Sequence, residues 1–394
     1  MPSRSLVSST KTVTFYGNRT LLVPAQRLTL IQREFCHEVC SVVIETETDA
    51  ASRYDTKTPI SIDWGLSGKV STFYGYVHHS QPIAVAGQRA ENKLKLICVG
   101  ATYPLDDEAQ RVWRNVTVSQ VAREILDDVK LSGHVADHPQ GWSTLSQAGE
   151  SSWNYLASLA QKVGWTMAPV NTDVHFHDPL WNIMRMKQTA AQYTFGSKIP
   201  EQQILVFSPV SGETTPGFGA KANRTIYGID PMSVKPFATT VGGINAYGLG
   251  DVYADPVVSS FSSASAAGVA EAGSILVGEA KKNRWYIQAR AEVSGSTRLR
   301  PGVLVSIDGI NPRHNGYWYV LAVEHEVTGD GMTDHLVLGR DSEWDQNFRP
   351  DPRGRRVLSP RLDPYGQQQV TVPPTLLVNK VWRAAFSPRP FNAG

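Results

Sequence analysis

The chain has 394 residues, 41% of them hydrophobic and 19% charged, so it is long enough for two or three domains and apolar enough to bury real cores. Its 38 Lys and Arg nearly balance its 36 Asp and Glu, and the net charge of +2 excludes a polybasic nucleic-acid coat or an acidic tail protein. No apolar stretch approaches the ~18 residues of a transmembrane helix, and the first residues hold no apolar run of signal-peptide length, so we expect a protein made in a cytoplasm without stable membrane insertion.

The three cysteines, Cys36, Cys40 and Cys98, are too few for a disulfide framework, and their number is odd. The run from Cys36 to Cys40 has a zinc-like composition. It is predicted to be a strand, however, in which positions i and i+4 lie about 13 Å apart. The sequence therefore predicts small buried core thiols and no metal site.

Residues 1–106 have the pattern of a first β-barrel. The predicted strands are rich in β-branched residues and lie at 12–16, 27–31, 39–47, 69–77 and 92–99. In the last of them Leu94, Leu96 and Cys98 alternate with less apolar neighbours, which indicates one buried face. Several strands at this spacing, without a helical period among them, are typical of a small barrel or sandwich.

The pattern changes near residue 107 to an α+β module, predicted over residues 107–190. Its first helix begins at the capping box formed by Thr117 and Gln120, carries an apolar stripe with helical spacing, and is predicted to end at Gly133. A second helix is predicted at 152–163. A hairpin over 165–177 follows it.

Residues 191–341 return to a β pattern and predict a second β-barrel. Residues 263–282 within it are predicted to form an Ala-rich helix, whose small side chains let it lie close to a neighbouring backbone. The predicted strands are 203–209, 224–229, 285–293, 303–307, 318–327 and 333–338.

Residues 342–394 carry 8 of the 24 prolines and eight Lys or Arg against four Asp or Glu. Such a composition rarely forms its own core, yet the segments 371–378 and 382–386 are apolar. The pattern predicts an extended C-terminal arm that lies on a partner. Trp382 and Phe386 are the predicted anchors, and Arg355 and Arg356 the predicted donors to acidic surfaces.

Enzyme signatures in the sequence are incomplete. His37-Glu38 and His325-Glu326 each begin a zinc-protease motif, but neither is followed by the required i+4 histidine. The pairs His134/His138 and His175/His177 are typical of surface or structural histidines. We therefore predict no catalytic residue, no cofactor and no metal.

Three tryptophans, Trp153, Trp165 and Trp181, cluster in the module. They either fill its core together with Leu156 or form a surface on which a sugar or peptide stacks. We favour the core, because Trp153 lies on the apolar stripe of the second helix, which is expected to pack against the first.

A series of motifs runs in a fixed order over residues 10–341. The run Gln147–Leu156 is followed by Leu159-Ala160, Gly164-Trp165 and the strand Val174–Phe176. On either side lie Thr117–Leu131, Phe73–Val77, Pro301–Val303, Gly316–Val320, His325 and Leu336–Arg340. Together these motifs resemble phage tail hub proteins of the late control D family, which includes baseplate hubs of contractile phages and the hub part of type VI secretion spikes.

The resemblance implies a β-rich fold in which two tube-like β-barrels flank a small α+β module. It implies a structural late protein of the virion, located at the tail tip or baseplate and assembled in the host cytoplasm. The subunits would form a homotrimer whose six barrels imitate a six-fold ring and join a hexameric tail tube to a three-fold spike. The implied partners are a tail tube or distal tail protein, a central spike or fibre protein and a tape-measure protein, without sequence-specific nucleic acid.

Two functions of other classes remain open from the sequence alone. A tail-associated cell-wall hydrolase would need a catalytic constellation. A glycan-binding tail-tip protein would use the tryptophan cluster. Residues 342–394 match nothing in the family, and no β-helix repeat follows the barrels, so a spike would be a separate chain.

Overall fold

The computed structural model describes residues 12–15, 25–45, 54–66, 69–83, 93–139, 141–179, 190–210, 223–230, 235–242, 257–260, 285–311, 314–329 and 331–341. The predicted Ala-rich helix at 263–282, the arm at 342–394 and Trp181 lie outside these residues.

Six strands are described in the first part of the chain: β1 (Thr12–Phe15), β2 (Ala25–Arg33), β3 (Val39–Glu45), β4 (Pro59–Leu66), β5 (Lys69–Ile83) and β6 (Lys93–Gly100). They build an antiparallel sheet in the order β1-β4-β5-β6-β3-β2. Alternate residues of β6 are buried, including Leu94 and Leu96, and they face Ile44 and Val42 of β3. The predicted one-sided burial of this strand is confirmed.

The segment between β2 and β3 is a turn, so the predicted strand through Cys36–Cys40 is wrong. Strand β2 ends at Arg33, and Phe35 adopts the left-handed conformation with φ 60°. The prediction of buried thiols holds for Cys40 and Cys98, but Cys36 is exposed on the turn.

In the module, the part that the structure describes holds five strands and two helices: β7 (Glu108–Thr117), α1 (Val118–Asp128), β8 (Ser132–Val135), β9 (Gly141–Ser151), α2 (Ser152–Val163), β10 (Thr166–Val170) and β11 (Asp173–His177). Strands β7 and β9 form a two-stranded antiparallel ribbon. A separate sheet has the order β10-β11-β8, in which β8 runs parallel to β11. The predicted hairpin is β10 and β11, which pair antiparallel.

Side-chain caps start both helices. The Thr117 hydroxyl accepts from the N–H of Gln120, while the Gln120 side chain accepts from the N–H of Thr117, so the predicted capping box is confirmed. Helix α2 begins after Ser151, whose hydroxyl accepts from the N–H of Asn154. It stops at Gly164, which is left-handed with φ 68°.

The predicted stop of α1 at Gly133 is wrong. The helix ends at Asp128, and Lys130 takes the left-handed conformation with φ 60°. This turn lets the N–H of Leu131 donate to the carbonyl of Leu126 at 3.0 Å, the bond that closes a Schellman motif. A lysine therefore occupies the position that we expected a glycine to take.

The described residues of the last part form nine strands: β12 (Ala191–Phe195), β13 (Gln203–Val210), β14 (Asn223–Asp230), β15 (Lys235–Gly242), β16 (Val257–Ser260), β17 (Trp285–Ser294), β18 (Leu304–Asp308), β19 (Gly316–Thr328) and β20 (Gly331–Asp341). Six of them close into a barrel in the order β18-β12-β13-β17-β20-β19, because β19 pairs with both β18 and β20. Strands β15, β14 and β16 form a separate sheet. The predicted β-rich fold with a small α+β insert is confirmed.

Strand β19 joins the closed barrel to the first sheet. Its residues Ala322–Val327 pair with β2 on one side and with β20 on the other. Trp318 and Val320, earlier on β19, lie in the core of the barrel. Val327 and Met332, at the end of the β19–β20 hairpin, lie in the core of the first sheet. One hairpin therefore contributes to two hydrophobic cores.

Candidate functional site

The predicted core residues of the module, Trp153, Leu156 and Trp165, all lie in its buried hydrophobic cluster. The side chain of Trp153 is 4% exposed, and its ring stacks on His37 with centroids 4.1 Å apart. Its indole N–H donates to the carbonyl of Phe35 at 3.3 Å. Trp165 packs edge-on against Phe176. Neither indole presents a free face, which argues against the stacking surface.

The β2–β3 turn attaches the module to the first sheet. The N–H of Phe35 donates to the carbonyl of Met167 at 2.7 Å, while its own carbonyl accepts from Trp153. The two ring nitrogens of His37 lie 2.8 Å from the Thr102 hydroxyl and 3.0 Å from the Asp106 carboxylate. These bonds hold the turn although Phe35 has a backbone conformation that non-glycine residues rarely adopt.

A chain of buried polar side chains continues from this turn into the closed barrel. Glu38, after His37, accepts a hydrogen bond from the Gln32 amide, and the Gln32 amide oxygen lies 3.3 Å from Nε2 of His325. Nδ1 of His325 is 2.7 Å from the carboxylate of Asp334, which also accepts from the N–H of Ser296 at 2.7 Å. Glu38, His325 and Asp334 are fully buried.

The electrostatics of Glu38 are set by its burial. Loss of hydration raises its pKa to about 7, while hydrogen bonds from Gln32 and from the Asn171 N–H, together with the charge of Arg300, lower the pKa and limit the rise. Asn171 belongs to the β10–β11 turn of the module, and Arg300 lies between β17 and β18 of the last part. The carboxyl group of Glu38 therefore lies where all three parts of the chain meet.

This network is a structural junction. A buried carboxyl group with a pKa near neutrality is the type of group that catalyses proton transfer, but Glu38 is sealed from solvent and its neighbours hold it by hydrogen bonds. We call the group formed by Gln32, Glu38, His325 and Asp334 the polar junction. Gln32 connects Glu38 and His325, which belong to the two incomplete protease motifs of the sequence, and no local sequence pattern reports this contact.

Three histidines lie near one another on the small sheet of the module. His134 and His175 are opposite residues on β8 and β11, with ring centroids 4.8 Å apart, and His175 and His177 share a face of β11. Burial, and then the charge of Arg300, lower the pKa of His175 to about 3, so this ring is neutral at physiological pH. Among the described residues, no group of three or more His, Cys, Asp or Glu side chains is arranged to hold a metal ion.

An apolar patch lies on the surface where β12 passes into β13. Phe195, Ile199, Leu205 and Val206 are 42–52% exposed, and we call them the corner patch. Strands β12 and β13 pair at Thr194↔Gln203 and Phe195↔Ile204, where β12 ends. The β13–β17 register shifts at this point, and both Leu205 and Val206 face outward.

An ion pair connects this region to the first sheet. Lys69, at the start of β5, pairs with Glu201 at 3.2 Å, and the next residue, Val70, is half exposed. A surface that combines exposed aliphatic and aromatic side chains with an ion pair at its edge has the character of a protein-binding site. The predicted partner-binding residues Trp382, Phe386, Arg355 and Arg356 lie outside the described residues.

No helix in the described part of the chain is long and apolar enough to cross a membrane.

No protein-family model matches the sequence, and no curated protein matches it.

Solved structures with a similar fold come from tails and secretion systems. A tail protein from Neisseria meningitidis MC58 has 15% identity and a TM-score of 0.59, with 86% of this chain and 98% of that chain covered. The 43 kDa tail protein of prophage MuSo2 from Shewanella oneidensis has 12% identity and a TM-score of 0.56, covering 85% and 99%.

A third similar structure is an E. coli component of the type VI secretion system, itself structurally similar to the T4 bacteriophage tail proteins gp27 and gp5. It has 10% identity and a TM-score of 0.54, and the match covers 84% of this chain and 78% of that one. At these identities the similarity concerns the fold. The chain therefore has the fold of phage tail proteins and of a type VI secretion component, as its sequence motifs predicted.

Proposed function

We propose that this chain is a structural hub of a phage tail tip or baseplate. In this proposal three copies form a ring that joins a hexameric tail tube to a three-fold central spike or fibre. The observation that supports it is the junction of a closed six-stranded barrel with a second six-stranded sheet through β19. Two barrel-like units per subunit give six units in a trimer, which matches a six-fold ring.

The corner patch supplies a surface for the ring contacts in this proposal. A closed ring of three copies uses a head-to-tail interface, in which one surface of each subunit meets a different surface of the next. The interface of an obligate oligomer buries about 2,000 Å² or more and is enriched in apolar side chains. Phe195, Ile199, Leu205 and Val206 would form part of one of the two surfaces.

The proposed partners are a tail tube or distal tail protein on one side and a spike, fibre or tape-measure protein on the other. Residues 342–394 would leave the barrels after Asp341 and lie on a neighbouring chain, anchored by Trp382 and Phe386, with Arg355 and Arg356 paired to acidic groups. Fully extended, this arm reaches at most ~175–190 Å, which is long enough to contact another subunit or another tail protein.

Labelling of intact tails tests the proposed location. An antibody against this chain, viewed by electron microscopy, should bind at the junction between tube and tip. Deletion of residues 350–394 should leave the oligomer intact and reduce incorporation of a neighbouring tail component. Normal tails made with the deleted chain would contradict the role of the arm, and label along the whole tube would contradict the hub.

The alternative is a tail-tip protein that cleaves or binds cell-wall glycan. A peptidoglycan clearing assay on the purified chain distinguishes the two proposals. Clearing by a monomeric protein would favour the enzyme, whereas an oligomer without turnover would favour the hub.

A further inference from the structure

Two of the three cysteines face each other across neighbouring strands. Cys40 of β3 is the direct antiparallel partner of Cys98 of β6. Both side chains point into the core of the first sheet, and neither is exposed to solvent. The pair lies beside Val42↔Leu96, two positions along the strands, so apolar residues flank it on that side.

The register places these thiols within reach of a covalent bond. Directly opposite residues in an antiparallel pair have Cα atoms about 4.5–5.5 Å apart, and disulfides span Cα distances of about 4.4–6.8 Å. Rotation of the two side chains about their Cα–Cβ bonds can therefore bring the sulfurs together while the strands stay in register. We propose that Cys40 and Cys98 form a cross-strand disulfide when the protein meets an oxidising medium.

The same burial makes both free thiols slow to react. Burial raises the pKa of Cys40 and raises that of Cys98 to about 12, so the reactive thiolate is scarce in the folded state. The bond therefore forms during folding, or when β3 and β6 open locally, and it forms slowly in the closed sheet.

A small-molecule disulfide such as oxidised glutathione serves as the oxidant. One cysteine thiolate attacks it, forms a mixed disulfide and releases one glutathione thiolate. The second cysteine thiolate then attacks the protein sulfur of the mixed disulfide and releases the second glutathione. The two cysteines lose two electrons and two protons, and oxidised glutathione gains them as two molecules of reduced glutathione.

The bond would join residues 58 positions apart in the chain. A cross-link of that length restricts the unfolded chain more than a short one does, and it should raise the unfolding temperature by roughly 5 °C or more. It would also fix the β3–β6 register inside the first sheet. Only β2 lies between β3 and β19, the strand that joins this sheet to the closed barrel.

The experiment uses the full chain carrying Cys36→Ser, which removes the exposed thiol on the β2–β3 turn. The protein is incubated with oxidised glutathione at increasing temperatures below its unfolding transition, and a second sample is refolded in the same buffer. Free thiols are then alkylated under denaturing conditions, and peptides are mapped by mass spectrometry. We expect a Cys40–Cys98 linked peptide with a mass loss of two hydrogens, and a higher unfolding temperature.

The matched control is the full chain with Cys36→Ser, Cys40→Ala and Cys98→Ala, which should show no temperature shift on oxidation. Two alkylated thiols in the refolded sample would overturn the proposal, and so would glutathione attached to both cysteines without a link. A linked peptide with a lower unfolding temperature would confirm the bond and contradict the expected stabilisation, because the bond would then strain the sheet.

Discussion

At the scale of single residues, the burial of Glu38 disfavours the negative charge of its carboxyl group. Its carboxyl group is fully enclosed, and its hydrogen bonds to Gln32 and Asn171 offset only part of the lost hydration. The rest of the polar junction is also hydrogen-bonded. His325 bonds to the carboxylate of Asp334, which also accepts a bond from the Ser296 N–H. The burial of Glu38 makes the stability of the protein depend on the protonation of this group.

Glu38→Gln should change the pH dependence of stability. The pKa of Glu38 is about 7 in the folded protein against an ordinary value of 4.5. Between pH 4.5 and about pH 7, Glu38 keeps a proton in the folded chain that it has released in the unfolded chain. The free energy of unfolding therefore falls as the pH rises through this range. Ionised Glu38 then costs about 3 kcal/mol above pH 7. From pH 5 to pH 8, the free energy of unfolding of the variant relative to that of the wild type should rise by about 2–3 kcal/mol. Urea unfolding of both proteins measures this change. Parallel pH profiles of the two proteins would contradict the account.

Trp153→Ala should destabilise the module by about 3–5 kcal/mol, because it removes a large side chain from a packed core and also the hydrogen bond to Phe35. Chemical denaturation followed by circular dichroism measures the effect. Val112→Ala is the matched control, since Val112 is 65% exposed on the β7–β9 ribbon and its loss should cost less than 0.5 kcal/mol. Equal effects of the two substitutions would show that Trp153 does not support the core.

At the scale of elements, local signals were predictable and non-local ones were not. The capping box at Thr117 and the left-handed Gly164 are encoded within a few residues, so both helices could be predicted. The β7–β9 ribbon was missed, because the buried residues Trp142 and Leu145 are three positions apart, although both belong to the core of the module. A strand with that pattern lacks the period of two on which the prediction depends.

Strand β8 was missed for a different reason. It has four residues, includes Gly133, and gains its partner only from β11, about forty residues later in the chain. The facing of Cys40 and Cys98 was equally invisible, because it depends on the register between β3 and β6. The polar junction also required three separate parts of the chain to meet, which no local pattern reports.

Gly133→Ala should destabilise the module, because a Cβ atom there would lie 2.7 Å from a methyl group of Leu126 and 3.1 Å from one of Val135. Overpacking of this kind costs about 1–3 kcal/mol. Gly141→Ala is the control, since a Cβ atom at that position meets nothing within 4 Å. Thermal unfolding of both variants measures the difference. Equal unfolding temperatures would mean that close packing does not explain the glycine in β8.

At the scale of the whole molecule, the β19–β20 hairpin makes the first sheet and the closed barrel one unit. Its residues enter both hydrophobic cores, and its backbone pairs with β2 as well as within the barrel. In the proposed hub, the first sheet and the closed barrel would present two similar surfaces in a fixed relation, which a ring that adapts between symmetries requires. The corner patch lies on the outside of this unit.

The corner patch should be needed for assembly. Phe195→Asp combined with Val206→Asp places two charges on the patch, and burying them in a subunit interface would be costly. We expect this variant to shift the oligomer toward monomer while its circular dichroism spectrum stays unchanged. Val112→Asp, on the exposed face of the module, should leave the oligomer intact. Unchanged assembly of the double variant would place the interface elsewhere.

Light scattering on the purified chain, coupled to size-exclusion chromatography at micromolar concentration, tests the proposed hub most directly. The chain mass is 43.3 kDa, so the account predicts a single species of about 130 kDa, the mass of three copies. A stable species of one chain mass at that concentration would contradict it.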